Sequence, residues 1–410
     1  MQGARTHRSP LIGVSAGPTI GTFEIIGTGP RPAEMRSSEN SRGIPLFEGD
    51  MVSAFRLAIT GDFLNENGVD ACGGLPLHLL DAAGRLEYHF LRDLAPQPGD
   101  RDYWQRFYSL EVSANHLPGI DGLVVLRPWV RREALEPARE RLVVIGRSGA
   151  GFDKIDVAAC TEFGIALFNA PLALNHPTAS TALLFMLALA KRLFAQDKVT
   201  RAGRWDLQAG VLGDELVGRT LGIVGLGHSG RELVRLVAPF SMTILAYSPH
   251  ADPAEARQLG VELVALDELL RRSDFVSVHA RPRPENVRMI GPDQFALMKP
   301  TAYFINIARG ELVDEPALVE ALQTRRIAGA ALDVFEHEPL PADHPLIGLD
   351  NAILTPHWSA STSDVWRATG EAMVEGMLRA SHGEVPADVV NREVLDRPEF
   401  QRKLARFAGQ

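Results

Sequence analysis

The stretch RTLGIVGLGHSGRELVRLV, residues 219–237, decides the fold. A β-branched run ends in Gly225-Leu226-Gly227-His228-Ser229-Gly230, and a helical pattern follows at once. In a G-x-G-x-x-G turn the first glycine permits the tight bend, and the second lets the backbone approach a pyrophosphate. The third lets helix and strand pack closely, while the helix N-terminus supplies N–H groups and a positive dipole. The motif alone is a weak signal, because glycine-rich turns are common. The strand before it, the helix after it and a further strand, TILAY (243–247), favour a dinucleotide site over a merely structural turn by about ten to one. The three glycines, with His228 and Ser229 between them, are the expected cofactor contacts. An Asp or Glu about 20 residues on usually receives the ribose hydroxyls of NAD. Here the second strand ends Tyr247-Ser248-Pro249-His250, so neutral Ser248 stands in that place. It repels a 2′-phosphate less and holds the ribose more weakly, which leaves the choice between NAD and NADP open.

Outward from this unit, strands are expected at 220–224, 242–247, 274–279, 302–306, 328–333 and 352–355, with helical segments between most of them. Such alternation indicates an α/β, doubly wound parallel sheet. Upstream, FRLAITGDFL (55–64), DGLVVLRPWV (121–130), RLVVIGRSGAG (141–151) and GIALFNAP (164–171) read as strands of an earlier series. The segment NHPTASTALLFMLALAKRL (175–193) is apolar on nearly every face, with Pro177 near the expected helix start. Its run Ala182–Ala190 falls short of the ~20 residues that span a bilayer. It reads as a helix covered on all sides, between domains or between subunits. Beyond about Ser359 the chain reads as helical and polar, ending in the amphipathic PEFQRKLARF (398–407).

The 410 residues suit two domains, and 45% hydrophobic with 23% charged residues is a folded composition. Forty-two basic against fifty-one acidic residues leave a net charge of −9, which disfavours nonspecific nucleic-acid or acidic-membrane binding. Only five of the basic residues are Lys, so anion recognition falls to Arg. Two cysteines, Cys72 and Cys160, are too few for a disulfide framework or a cysteine-based zinc site, and both read as small core residues. No His or carboxylate spacing suggests a metal. The opening MQGARTHRSPLIGVSAG lacks the apolar run of a signal peptide, so a cytoplasmic protein is expected. Residues 1–50 hold eight Gly and five Pro and read as an arm, docked or extended.

Three strand ends carry chemistry. Arg309 follows the AYFIN strand, Asp333, Glu336 and Glu338 follow the next, and His357 follows the last. In an open α/β sheet, ligands bind at the carboxyl ends of strands, so one crevice receives all of them. Hydride transfer to a nicotinamide involves a carbonyl oxygen that gains or loses a proton, which suits a His. A carboxylate beside the His favours its protonated form, and an Arg fork holds a substrate carboxylate. Each residue alone is more safely read as an ion pair or a loop residue. Behind a dinucleotide turn, the set reverses those odds.

From about Gly146 to about Glu371 the chain resembles the D-isomer-specific 2-hydroxyacid dehydrogenase family. The matching stretches are RSGAGFDKIDVAACTEFGIALFNAP, GRTLGIVGLGHSG, LMKPTAYFINIARGELVDEPALVEAL, IAGAALDVFEHEPLP and LTPHWSAST, in the family's order and spacing. The resemblance implies two Rossmann-like domains, with the cofactor domain inserted into the substrate domain, and a homodimer formed through cofactor-domain helices. The expected boundaries are an arm at 1–50, a first substrate part at 51–172, an NAD(P)-binding domain at 173–358, and a return to the substrate domain with a tail at 359–410. The resemblance gives Arg309 the binding of substrate carboxylate and carbonyl, His357 the acid/base role and Glu338 the paired carboxylate. It gives Asp333 and Ala308 contacts to the cofactor, and Ser148, Gly149 and Ala150, in the turn that ends at Gly151, backbone N–H contacts to the substrate. Glu336 competes with Glu338, but the spacing from Asp333 favours Glu338. His337 and His344 read as exposed loop residues. Three features depart from the family pattern: Ser248, the two arginines Arg281 and Arg283 beside the adenosine position, and Thr178-Ala179-Ser180 where an acidic residue is common before the long helix.

The reading is an oxidoreductase that moves a hydride between NAD, with NADP accepted, and a small 2-keto or 2-hydroxy acid. Two alternatives stand beside it. One is a dehydrogenase of another small anion such as phosphite; formate is disfavoured, since the formate enzymes of this superfamily lack the Glu–His pair. The other is a cofactor-sensing scaffold resembling the C-terminal-binding-protein corepressors.

Overall fold

The computed structural model describes residues 54–408, Cys72 excepted. The expected arm at 1–50 and the reading of Cys72 lie outside the described residues. Two large parallel sheets carry most of the rest, and a short parallel pair, Glu111–Val112 with Trp129–Val130, stands beside them. The first comprises β1 (Phe55–Thr60), β2 (Leu86–Leu91), β3 (Gly122–Val125), β4 (Val144–Arg147) and β5 (Ala166–Asn169), in the order β2-β1-β3-β4-β5. The second comprises β6 (Thr220–Val224), β7 (Thr243–Tyr247), β8 (Val261–Leu263), β9 (Phe275–Val278), β10 (Tyr303–Asn306), β11 (Gly329–Leu332) and β12 (Ala352–Leu354). Its order is β8-β7-β6-β9-β10-β11-β12, so the strand order reverses at β6 and β9. That reversal opens a crevice at the carboxyl ends of the strands. The chain is thus α/β, with two doubly wound parallel sheets. β2 and β8 escape the sequence reading because both are edge strands, half-exposed or only three residues long.

Four helices matter for the site: α1 (Pro171–Ala190), α2 (His228–Val237), α3 (Ser363–Ser381) and α4 (Pro398–Ala405). α1 starts six residues before the expected position. Pro171 occupies its first turn, Pro177 lies inside, and Thr178-Ala179-Ser180 is helical instead of preceding the helix. A proline at the first helical position costs nothing, because that N–H has no partner there. At 20 residues α1 is long and apolar enough to cross a membrane, contrary to the reading of its nine-residue run. Its Ala179, Ala182, Phe185 and Met186 nevertheless pack in one core with Ile223 of β6 and Leu233 of α2. Nor is it covered on all sides within one chain, since Leu172 and Leu184 face outward.

The tail is less polar than its sequence suggests. Asp364, Arg367, Glu371 and Glu375 of α3 point to solvent. One turn-spaced face sends Met373, Val374, Met377 and Ala380 into the core of the first sheet, beside Phe55, Leu57 and Phe168. Cys160 is a buried core residue, as expected. α4 is tied down by Lys403, whose ammonium donates to the carbonyls of Arg139, Leu142 and Phe163 at 3.0, 2.7 and 2.8 Å.

Asn391 fixes the returning chain to β5. Its Oδ1 accepts from Leu167 N at 2.9 Å, and its Nδ2 donates to Ile165 O at 3.0 Å and Thr161 Oγ1 at 3.1 Å, all with the residue 1% exposed. Asn391→Ala strands one buried N–H and one buried carbonyl, each costing about 1–3 kcal/mol. Urea unfolding should show a loss of about 2–4 kcal/mol. A loss below about 0.5 kcal/mol would show that water takes over these bonds.

Candidate active site

The glycine turn has the shape a dinucleotide requires. Gly225 has φ +99°, in the region that favours glycine, and a Cβ there would lie 2.6 Å from the N of Ala280. A Cβ at Gly230 would lie 2.5 Å from Gly225 O, so α2 packs directly on the turn. Gly227, which caps α2, faces open space instead. That opening lies at the helix N-terminus, where a pyrophosphate fits. Ser229 Oγ lies 3.1 Å from His279 Nδ1, and His279 Nε2 lies 3.0 Å from Ser277 Oγ. Burial pulls His279 down to about 4, so it ties the turn to β9 as a neutral ring. Beside the turn, Tyr247, Ser248, Pro249, Leu263, Val264, Ala265 and Glu268 line a cleft of about 430 Å³. Arg283 Nη1 lies 3.2 Å from Nε2 of His250, two residues beyond Ser248, and Arg281 stacks 4.7 Å over the Phe152 ring.

β10, β11 and β12 are neighbours, so their ends deliver Arg309, Glu338 and His357 to one side. Glu338 Oε2 meets His357 Nδ1 at 2.8 Å, and Glu338 Oε1 accepts from Phe335 N at 3.1 Å. Burial raises the Glu338 pKa, but the His357 hydrogen bond and charge, the Phe335 N–H and the Arg309 charge outweigh it, so the carboxyl stays below its ordinary value. Glu336 turns away to Arg288, at 2.5 Å. His337 is exposed. His344 is not a free loop residue: its Nε2 pairs with Glu315 at 3.2 Å and its Nδ1 accepts from Leu346 N at 3.3 Å.

His357 itself sits at φ +51°, a left-handed conformation that strains a side-chain-bearing residue. Asp333 holds it there. The Asp333 carbonyl accepts from His357 N at 2.8 Å. Its fully buried carboxylate accepts from Thr355 Oγ1 (2.6 Å), Trp358 N (2.7 Å) and Ser359 N (2.8 Å). Most of the capacity expected for a nicotinamide carboxamide is therefore spent on the loop.

Arg309 reaches across to the first sheet. Its Nε and Nη2 donate to Asp153 Oδ2 at 3.0 and 2.8 Å, and its Nη1 donates to Ala308 O at 2.7 Å. Ala308 is set in turn by its N–H on Asn306 Oδ1 at 3.1 Å. Burial would raise the Asp153 pKa, but the charge and hydrogen bonds of Arg309 prevail and lower it. In the turn after β4, Ser148 N donates to Val125 O at 2.9 Å, so Ser148 has no N–H to give a substrate. Among the described residues the N–H groups of Gly149, Ala150 and Gly151 make no hydrogen bond. They remain available to an anion.

Sequence reasoning missed several groups around this crevice. The Tyr108 ring stacks on His357 at 5.9 Å and 12°, and the Lys154 ammonium sits 5.1 Å over the same Tyr108 ring. Arg127 stacks 4.5 Å over Phe107 and hydrogen-bonds Tyr108. Its backbone N–H meets the buried Asp62 Oδ2 at 2.9 Å. The aromatic run YWQRFY (103–108) and the charged residues flanking SGAG were the only local signals for these positions.

Residues 183–359 match the model of the D-isomer specific 2-hydroxyacid dehydrogenase, NAD binding domain. A D-3-phosphoglycerate dehydrogenase of Methanocaldococcus jannaschii is 44% identical over 263 residues, 64% of this chain and 50% of that protein. The chain thus spans about half the length of that relative. A glyoxylate reductase of Korarchaeum cryptofilum is 38% identical over 315 residues, 76% of this chain and 92% of that protein. Among solved structures, a glyoxylate reductase from Paecilomyes thermophila superposes with a TM-score of 0.69 at 27% identity, covering 83% of this chain and 99% of that one. The nucleotide turn, the paired Glu338 and His357 and this extent of likeness agree: the chain belongs to the D-isomer specific 2-hydroxyacid dehydrogenase family.

Proposed function

We propose that the protein interconverts a small 2-keto acid and its 2-hydroxy acid, with NAD as the preferred nucleotide and NADP accepted. The observation that carries this reading is the 2.8 Å Glu338–His357 pair facing the crevice that Arg309 enters. The bound nicotinamide supplies or accepts the hydride. Glu338 occupies Nδ1 of His357, which leaves Nε2 to protonate the substrate oxygen in reduction and to take that proton back in oxidation. Tyr108 stacks on one face of the imidazole and restricts its tilt. Arg309 offers its fork to the substrate carboxylate and polarises the adjoining carbonyl, while the N–H groups of Gly149 and Ala150 receive the second carboxylate oxygen. Asp153 must yield the fork when the substrate arrives. Ser248 lines the cleft without the acidic group that repels a 2′-phosphate, and Arg283 is held by nearby His250, which supports acceptance of NADP.

Turnover of a panel of 2-keto acids with NADH and with NADPH tests the reading. Reduction with both nucleotides and a preference for NADH is expected. No turnover of any keto acid would favour the scaffold alternative.

Glu338→Gln tests the pair. Since the Glu338 carboxyl is held below its ordinary range, it stays charged at every working pH and favours the imidazolium. Reduction needs that protonated form, so its rate falls on the alkaline side; oxidation needs the neutral ring and falls on the acid side. With Gln that charge is lost, and the limb of both profiles should move to lower pH. Profiles that stay in place would remove Glu338 from the mechanism.

The dimer rests on a run of outward apolar side chains from α1 and the segment after it. Leu184 is 46% exposed, Phe194 60%, Trp205 70% and Leu212 74%. A patch of this kind on one chain marks a protein contact, and a second copy is the proposed partner. Light scattering should give twice the chain mass, and Phe194→Glu with Trp205→Glu should give one. A wild-type chain that stays monomeric at micromolar concentration overturns it.

A further inference from the structure

We propose that the substrate carries a second anionic group besides its 2-keto carboxylate, and that Arg147 and Lys154 bind that group. The inference rests on the reading above and narrows it to one class of keto acid.

The turn after β4 is flanked by two guanidiniums. A Cβ at Gly149 would collide with Nη1 of Arg147, and one at Gly151 would collide with Nη2 of Arg309. Lys154 stands three residues further on, its ammonium over the Tyr108 ring that stacks on His357. Four cations, Arg127, Arg147, Lys154 and Arg309, and the imidazole of His357 therefore surround the reacting position.

Three of them have a carboxylate of their own. Arg309 pairs with Asp153 at 2.8 Å, His357 with Glu338 at 2.8 Å, and Arg127 lies 4.0 Å from the buried Asp62. Among the described residues the Arg147 side chain has neither a hydrogen bond nor an ion pair. Lys154 has no ion pair, and its ammonium donates only to the carbonyl of Tyr108, at 2.6 Å. The surroundings resist both charges. Burial, with the charges of Arg309 and Arg127, pulls Arg147 down to about 10, although the carboxylates of Asp62 and Asp153 oppose the shift without touching the guanidinium. Burial pulls Lys154 down to about 8, Glu338 opposing and Arg147 and Arg127 adding to it.

Unpaired cations in a poorly hydrated cleft cost stability unless a ligand completes them. A simple keto acid brings one negative charge, which Arg309 and the Gly149 and Ala150 N–H groups absorb. The surplus at Arg147 and Lys154 then remains. A keto acid with a further carboxylate or phosphate removes it. Arg147 ends β4 and Lys154 follows it in the loop, so the second group lies on the first-sheet side of the keto carbon, away from the nicotinamide.

The test uses the full-length protein with NADH and NADPH. It compares kcat/KM for pyruvate, which has one acidic group, with oxaloacetate and 2-oxoglutarate, which add a carboxylate, and with 3-phosphohydroxypyruvate, which adds a phosphate. At least one doubly acidic substrate should exceed pyruvate by about 100-fold or more, the usual worth of one or two charge-assisted contacts. The better arm identifies the second group as carboxylate or phosphate. Arg147→Met should shrink the ratio of that substrate to pyruvate by about 10- to 100-fold, chiefly through KM, and Arg147→Lys should restore much of it. The ratio is internal to each variant, so a smaller folded fraction cancels. Equal or better use of pyruvate by the wild type, or a ratio untouched in Arg147→Met, overturns this inference and leaves the keto-acid reading standing. Failure to reduce any of the four overturns both.

Discussion

The buried carboxylate of Asp333 is the contact on which the site depends. It lies at the end of β11 and draws in the side chain of Thr355 and the backbone of Trp358 and Ser359, while its own carbonyl holds His357 N. Those four bonds hold His357 in a left-handed conformation that a loop on its own would abandon, at a cost of about 1–3 kcal/mol. With the backbone fixed, Nδ1 comes within reach of Glu338. Thr181 Oγ1 on α1 donates to Ser359 O at 2.8 Å, so the same loop is clamped from the helix that links the two sheets. A polar group buried this deeply is tolerated because its lone pairs are used. Removing it would release the loop, and the acid/base with it.

Much of this arrangement was legible in the sequence, for local reasons. The turn at 225–230 needs glycine at fixed offsets between a strand and a helix, and each requirement is met within a dozen residues. Arg309, Glu338 and His357 follow strands whose β-branched cores are plain, so a rule about strand ends sufficed to gather them. The Glu338–His357 pairing, against Glu336, followed from spacing and is what the geometry shows.

The unread part depends on contacts between distant segments. Tyr108 meets His357 across 249 positions, and Asp153 meets Arg309 across 156. No window of sequence contains either pair. α3 was read as polar because its charges outnumber its buried face in the string, although a helix needs only one apolar stripe to dock. Ser148 illustrates a finer limit. Its place in the turn is recognisable, but only the register of β3 against β4 reveals that its N–H is already committed to Val125.

The bond between Arg309 and Asp153 joins the loop after β10 of one sheet to the loop after β4 of the other, at the place proposed for the substrate. Before any ligand arrives, an internal carboxylate thus occupies the seat of an external one. The guanidinium is already held and turned in the needed direction by Asp153, so an arriving acid exchanges for that carboxylate and spares the cost of organising the arginine. The exchange also acts as a filter. A neutral amide or ester of the same shape brings no charge to trade and leaves Asp153 in possession, so molecules that resemble the substrate in outline but not in charge are turned away by the protein's own side chain.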